Sequence, residues 1–318
     1  MKVKSLIHKL TAIAAMAFAT LAGPTQAQIN NVQAALEGEL LVVTGDDLAN
    51  AITISRNIAG DVFVTGRNGT TINGLPSVRF RQAVLNSVEV LMNGGNDNVV
   101  VQNLIINNDL YLNLGDGSDT LLSGSNPTTV GGNLSVEGGM GNDVIRLTGW
   151  SVGSDVYLDG QIGSLNCVLT GLTVGFGLFV IGDDTRDVIS VNGCTSGDFA
   201  SIQAKGGSDS VTVTSYAGWG LMIGTDAGAD TIALSSVATL EDISITTGTE
   251  NDSVKMTNVS SQKNIVASLD AGNDLLDGVR VSAQYDAVFE GGAGLDTFID
   301  GGIAGVVKTE VKEFEIFP

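Results

Sequence analysis

Val180–Val213 reads VIGDDTRDVISVNGCTSGDFASIQAKGGSDSVTV. It holds Asp187 and Asp209, 22 residues apart, and each opens an apolar alternation: Ile189 and Val191 after the first, Val211 and Val213 after the second. The same step leads back through Leu165 to Asp143, Asp119 and Asp97, and forward to Asp230, Asp252, Asp274 and Asp296. The nine intervals are 22, 24, 22, 22, 22, 21, 22, 22 and 22 residues. A fixed period in this range marks a repeat architecture, in which a unit buries its apolar face only by stacking on its neighbours.

With each anchor Asp as zero, positions −9 and −7 are apolar, as in Val88 and Val90, Leu110 and Leu112, Leu134 and Val136, Val156 and Leu158, Leu178 and Val180. Positions +2 and +4 repeat the pattern in Val99 and Val101, Ile145 and Leu147, Ile232 and Leu234, Val254 and Met256. Position +7 adds Leu104, Trp150, Leu172, Cys194, Tyr216, Val237, Val259 and Val281. Apolar residues at period two give a strand with one buried face. Gly, Asp and Asn between the runs suit turns that need positive φ. These units predict an all-β, single-domain, right-handed parallel β-helix (β-solenoid) of about ten to twelve coils. Ile189, Val211, Ile232 and Val254 should then form one inward column. An antiparallel sandwich would not require identical phasing in every unit.

The chain divides accordingly. Residues 1–27 combine a basic start, an apolar run from Leu10 to Leu21 and a small-residue cleavage site at Ala27, which reads as a secretory signal peptide. Residues 28–87 form an irregular N-terminal coil and cap, with Asn50 in the aspartate phase, and 47 residues to Asp97 read as two periods plus an insertion. Residues 88–300 carry the regular repeat, and 301–318 a charged C-terminal capping strand that blocks pairing with another chain. The expected location is outside the cell or on its surface.

The formal charge is −20, and residues 1–27 contain three lysines and no acid, so their loss takes it to −23. Such a balance excludes a phosphate-binding surface, which needs clustered Lys and Arg. The single histidine, His8, lies in the signal segment, which leaves no imidazole for a catalytic triad or zinc. Cys167 at +2 and Cys194 at +7 fall on different strands of neighbouring coils and read as two buried small residues rather than a disulfide.

The anchor turns follow G-x-G-x-D, as in Gly115-Asp116-Gly117-Ser118-Asp119. In Glu137-Gly138-Gly139-Met140-Gly141-Asn142-Asp143-Val144-Ile145 and Glu290-Gly291-Gly292-Ala293-Gly294-Leu295-Asp296-Thr297-Phe298 the turn resembles the hemolysin-type (RTX-like) calcium-binding repeat. That family places G-G-x-G-x-D-x-Φ-x turns on both sides of a parallel β-roll at a nonapeptide period, whereas here one such turn recurs per 22 residues. The resemblance implies Ca²⁺ at Asp97, Asp119, Asp143, Asp187, Asp209, Asp230, Asp252, Asp274 and Asp296; the acids Asp116, Asp183, Asp184, Asp226, Glu250 and Asp270 thicken the negative charge of the row.

Electrostatics gives the same expectation an independent basis. Stacked coils place successive aspartates about 4.8 Å apart. Each neighbouring pair then repels by roughly 1 kcal/mol in water and about 3.5 kcal/mol at an effective dielectric of 20. A hard divalent cation relieves this through carboxylate and carbonyl oxygens. The competing reading is that each Asp accepts backbone N–H groups in the turns. The inward parity of the anchor position suits both. Leu165 should split the row into a block of Asp97, Asp119 and Asp143 and a longer block from Asp187 to Asp296.

The leading function class is therefore a secreted calcium-binding structural or surface protein. A glycan-binding adhesin comes second, with Tyr111, Tyr157 and Phe179 at the outward −8 position as a stacking platform for extracellular polysaccharide. A polysaccharide-degrading β-helix enzyme comes third. Arg146 and Arg186 are its candidates near acids, and no outward row outside the turns gathers two carboxylates and a base.

Overall fold

A computed structural model describes residues 30–305 and 307–315. The expected signal segment, the first two residues of the expected N-terminal coil (28 and 29), Val306 and residues 316–318 lie outside the described residues. Within them the chain is a β-solenoid of strands and turns without helix, so no helix is long and apolar enough to cross a membrane.

Each coil contributes to two sheets. The runs around −9 and −7 form the first, in which Ser87–Leu91, Leu110–Asn113, Leu134–Glu137 and their successors pair in parallel up to Lys308–Lys312. The runs after each anchor form the second, followed by a two-residue strand such as Thr173–Val174 or Thr195–Ser196. In the last coils these two pieces fuse into nine-residue strands, Thr231–Thr239, Ser253–Ser261, Leu275–Ala283 and Thr297–Gly305. The expected inward column is present: Ile189 pairs with Val211, Val211 with Ile232 and Ile232 with Val254, all fully buried. The +7 residues fill the third side of the core, including Trp150 and Tyr216. Both cysteines are free and buried, Cys194 on this third side and Cys167 in the +2 column beside Ile145.

A corner at +6 separates the two pieces of the second sheet, and its backbone is left-handed in nearly every coil. Asn103, Gly149, Gly171, Gly193, Ser215, Ser236, Asn258, Arg280 and Gly302 all have φ between 51° and 106°. Only glycine adopts this conformation freely, and other L residues are strained there. Ser215→Gly should therefore stabilise the fold by roughly 0.5–1 kcal/mol, read as a higher urea midpoint at unchanged slope. A lower midpoint would show that the Ser215 side chain contributes more than its backbone strain costs.

The two irregular intervals are absorbed at corners. The extra residues of the 24-residue step sit between Ser123 and Thr129, since Thr129 again pairs with Ser151 in phase. The residue missing from the 21-residue step is lost between Gly218 and Leu221, the corner that carries Trp219.

The N-terminal segment differs from the expectation of two periods plus an insertion. Ala51–Arg56 lies directly on Asn98–Gln102, so the 47 residues from Asn50 to Asp97 make one coil step. The surplus folds back antiparallel, Val62–Gly66 on Ala51–Arg56 and Ser77–Phe80 on Val62–Gly66. A terminal coil would otherwise expose a row of unpaired backbone groups, and the antiparallel strands cover it. At the other end, Phe314 packs 5.3 Å from Phe298, whose ring lies 5.9 Å from that of Phe289, and Lys312 pairs with Glu290 at 2.8 Å.

Candidate functional site

The nine anchor aspartates form one internal row. Each stands at the head of a strand at inward parity, Asp143 as its first residue and the others just before it, and each residue is between 0 and 3% exposed. The row is a hydrogen-bond ladder. The backbone N–H of Asp97 donates to Oδ1 of Asp119 at 2.6 Å, and that of Asp119 to Asp143 at 2.9 Å. The pattern resumes with Asp187 to Asp209 at 2.7 Å, Asp209 to Asp230 at 2.7 Å, and Asp230, Asp252 and Asp274 each to the next at 2.8 Å. Asn50 leads into the row through Asp97, and Glu315 ends it by accepting from Asp296 at 2.9 Å. Parallel strands leave the first N–H beyond the turn without a ladder carbonyl, and the next coil's carboxylate supplies the acceptor.

Leu165 occupies the row opposite Asp143, as the spacing required. Its N–H still donates to Asp187 Oδ1 at 2.6 Å, but it offers no acceptor, and the N–H of Asp143 turns to the Ser164 carbonyl at 2.8 Å. The row is thus two blocks.

The second carboxylate oxygen is less well served. Oδ2 of Asp97, Asp119, Asp143, Asp209, Asp230, Asp252, Asp274 and Asp296 is buried without a hydrogen-bond partner. The residue five before the anchor closes over it. A Cβ on Gly182 would stand 1.7 Å from Oδ2 of Asp187, so glycine is needed there to admit the carboxylate. Other coils place Met92, Leu114, Ala204 and Leu269 at this phase, and Thr225 and Thr247 beside Asp230 and Asp252, all fully buried.

Burial dominates the proton affinity. Loss of hydration pushes Asp97 up to about 8, Asp119 and Asp209 to about 7, and Asp143, Asp187, Asp252 and Asp274 to about 6. Asp230 is raised for the same reason. The ladder N–H opposes the shift in each case, and neighbouring carboxylates add to most of them.

As a cation site the row offers at most one free oxygen per coil, and none at Leu165 or at Asp187, whose Oδ2 accepts from Asp183 N at 3.1 Å. These oxygens face apolar side chains, glycine or, beside Asp230 and Asp252, the buried Thr225 and Thr247, whereas Ca²⁺ takes six to eight oxygens. Among the described residues no three acidic, histidine or cysteine side chains converge as a metal-holding group. Asp116, Asp183, Asp226 and Asp270 lie outside the row, on the outer side of the turns. Asp183 accepts from Gly163 N at 2.8 Å and Thr185 N at 2.8 Å, and Asp270 accepts from Ser268 Oγ at 2.5 Å. Asp226 and Asp270 adopt left-handed φ of 58° and 62° in their turns.

Two further polar ladders escaped the sequence reading. At −10, Asp109 accepts from Asn133 N at 2.8 Å, Asn133 from Asp155 at 3.3 Å, and Asp242 from Asn264 at 3.1 Å. At −1, Asn96 accepts from Ser118 N at 2.9 Å and Asn251 from Asn273 N at 2.7 Å. Both recur at the solenoid period, so the phase of Asn and Asp along the sequence, like that of the apolar residues, carries the signal.

Tyr111, Ser135, Tyr157 and Phe179 are adjacent on the first sheet in that order, half-buried. The tyrosine hydroxyls donate to acids of the same face, Tyr111 to Glu137 at 2.9 Å and Tyr157 to Asp159 at 3.2 Å. Arg146 and Arg186 are exposed on different coils, one in a strand and one in a turn.

No family model, curated protein or solved structure matches the chain.

Proposed function

We propose that this protein is an exported structural solenoid, a rigid rod for the cell surface or its surroundings, in which the aspartate row is an internal hydrogen-bond spine. The observation that supports this is the uninterrupted use of Oδ1: from Asp187 to Asp296 every carboxylate accepts an N–H of the preceding coil. A side chain whose oxygen completes the backbone of its neighbour is tied to the fold, and substrate cannot reach it through a face that is closed. Export is supported by the character of residues 1–27.

Calcium binding is the second reading, and one observation favours it: a line of buried Oδ2 atoms without partners, in turns that resemble a calcium-binding repeat. Ca²⁺ held there would draw on those oxygens and the turn carbonyls, and on Asp116, Asp183, Asp226 and Asp270 at the surface.

Melting with and without a chelator separates the two. Under the spine reading Tm is the same in EDTA and in millimolar Ca²⁺ at matched ionic strength. Under the calcium reading Tm falls in EDTA and is restored by Ca²⁺ but not by NaCl, through the linkage of ligand binding to folding. Tm that tracks Ca²⁺ in this way would overturn the spine reading.

A further inference from the structure

Where the period drops to 21 residues, the surface of the solenoid changes character. Upstream of this point the corner after the two-residue strand is glycine in successive coils: Gly131, Gly153, Gly175 and Gly197. Those corners admit nothing larger, since a Cβ on Gly175 would lie 2.1 Å from the Gly153 carbonyl, and one on Gly197 2.1 Å from that of Gly175. From the shortened corner onward the column carries side chains instead: Trp219, Leu240, Gln262 and Gln284. Beside them the outward positions of the stacked strands are small, Ala217, Ala238, Ser260 and Ser282 in one register. The column is a wall and the small residues a floor, and they enclose an open groove of about 760 Å³ along the stack.

Two properties define what fits it. The first is charge: no lining residue is charged, in a protein of net charge −20. At the rim, Glu241 and Lys263 pair at 3.5 Å, and the Lys263 ammonium lies over the Tyr285 ring at 5.8 Å. An acidic ligand meets the repulsion of the whole molecule, and a cationic one finds no carboxylate in the groove. The second is the sequence of contacts along it. Trp219 and Leu240 are 42% and 48% exposed and give flat apolar surface at one end. The exposed amides of Gln262 and Gln284, which make no side-chain hydrogen bond among the described residues, give donors and acceptors at the other. Trp219 and Gln284 are three coils, or about 14 Å, apart. One coil step is close to the length of a pyranose ring along a chain, so successive rings would meet equivalent positions.

The geometry points to a binding groove for an uncharged polysaccharide, lying along the solenoid axis with one ring stacked on Trp219 and the following hydroxyls bonded by Ser260, Gln262, Ser282 and Gln284. This site is independent of the aspartate row and lies apart from the Tyr111–Phe179 face.

The test is affinity electrophoresis of the purified protein through gels containing hydroxyethyl cellulose, mixed-linkage β-glucan or galactomannan, with carboxymethyl cellulose as the acidic counterpart. Trp219 is the exposed one of two tryptophans, Trp150 being buried, so its fluorescence reports binding directly. At least one neutral polymer should retard the protein, and carboxymethyl cellulose should do so at least tenfold less. Trp219→Ala should weaken retardation at least tenfold. Ser260→Trp, which fills the floor but leaves Trp219 in place, should abolish it, and Tyr157→Phe on the other sheet should not change it. Melting curves of each variant confirm folding. No retardation by any neutral polymer overturns the proposal, as does retardation unchanged in both groove variants. A concentration-dependent dimer in sedimentation that Trp219→Ala dissociates would assign the groove to a second copy of the chain instead.

Discussion

Asp209→Ala is expected to lower the unfolding free energy by about 1–3 kcal/mol at pH 5, the cost of a buried donor left without its acceptor. The donor is the N–H of Asp187, which meets Asp209 Oδ1 at 2.7 Å inside the turn, where water cannot replace it. Asp209→Asn should behave differently, because the amide oxygen still accepts that bond. Asn50 already holds the equivalent position at the head of the row, with its own Oδ1 accepting from Asp46 N at 3.1 Å. At pH 8 the asparagine variant should equal or exceed the wild type, since it removes a charge from a line of buried like charges. Urea unfolding of the three proteins at both pH values measures this. Equal losses for alanine and asparagine at pH 5 would mean that the charge, and not the acceptor, is what the row requires.

The whole protein should be less stable at pH 8 than at pH 5. Burial raises seven row carboxyls above the 3.8 of an unhindered aspartate, from about 6 at Asp143, Asp187, Asp252 and Asp274 through about 7 at Asp119 and Asp209 to about 8 at Asp97. Between those limits the native state therefore binds more protons than the unfolded chain, and the slope of unfolding free energy with pH is negative. Stability is highest below the ordinary value, falls as pH rises through the raised values, and levels off above about 8. Most proteins with paired carboxylates show the opposite slope. Seven carboxyls with raised values from 6 to 8 make this the largest pH effect in the molecule. The urea midpoint should fall steadily from pH 5 to 8 at constant ionic strength, and Asp209→Asn with Asp230→Asn should flatten the fall. A midpoint that rises over this range would mean that the row is held ionised by a counter-charge.

The apolar phases in the sequence were enough for the coil, because a period-two run has a single way to bury one face and a fixed spacing has a single way to stack. Ile189 above Val211, Leu165 opposite Asp143 and buried cysteines all follow from counting. The N-terminal segment was misread because a gap of 47 residues is close to two periods, and length alone does not distinguish an added coil from a hairpin that covers an edge.

The sequence by itself determined the solenoid, the phase of the aspartates and their inward parity, since each depends only on spacing along one chain. Only the tertiary structure showed which backbone groups the carboxylates meet. Which N–H an Oδ1 accepts depends on where the next coil's backbone lies, and in the fold Asp187 N stands 2.7 Å from Asp209 Oδ1. The groove beside Trp219 was hidden for the same reason. Trp219, Leu240, Gln262 and Gln284 are scattered along the chain without a motif, and they become one wall because stacking places a residue beside another a whole turn away.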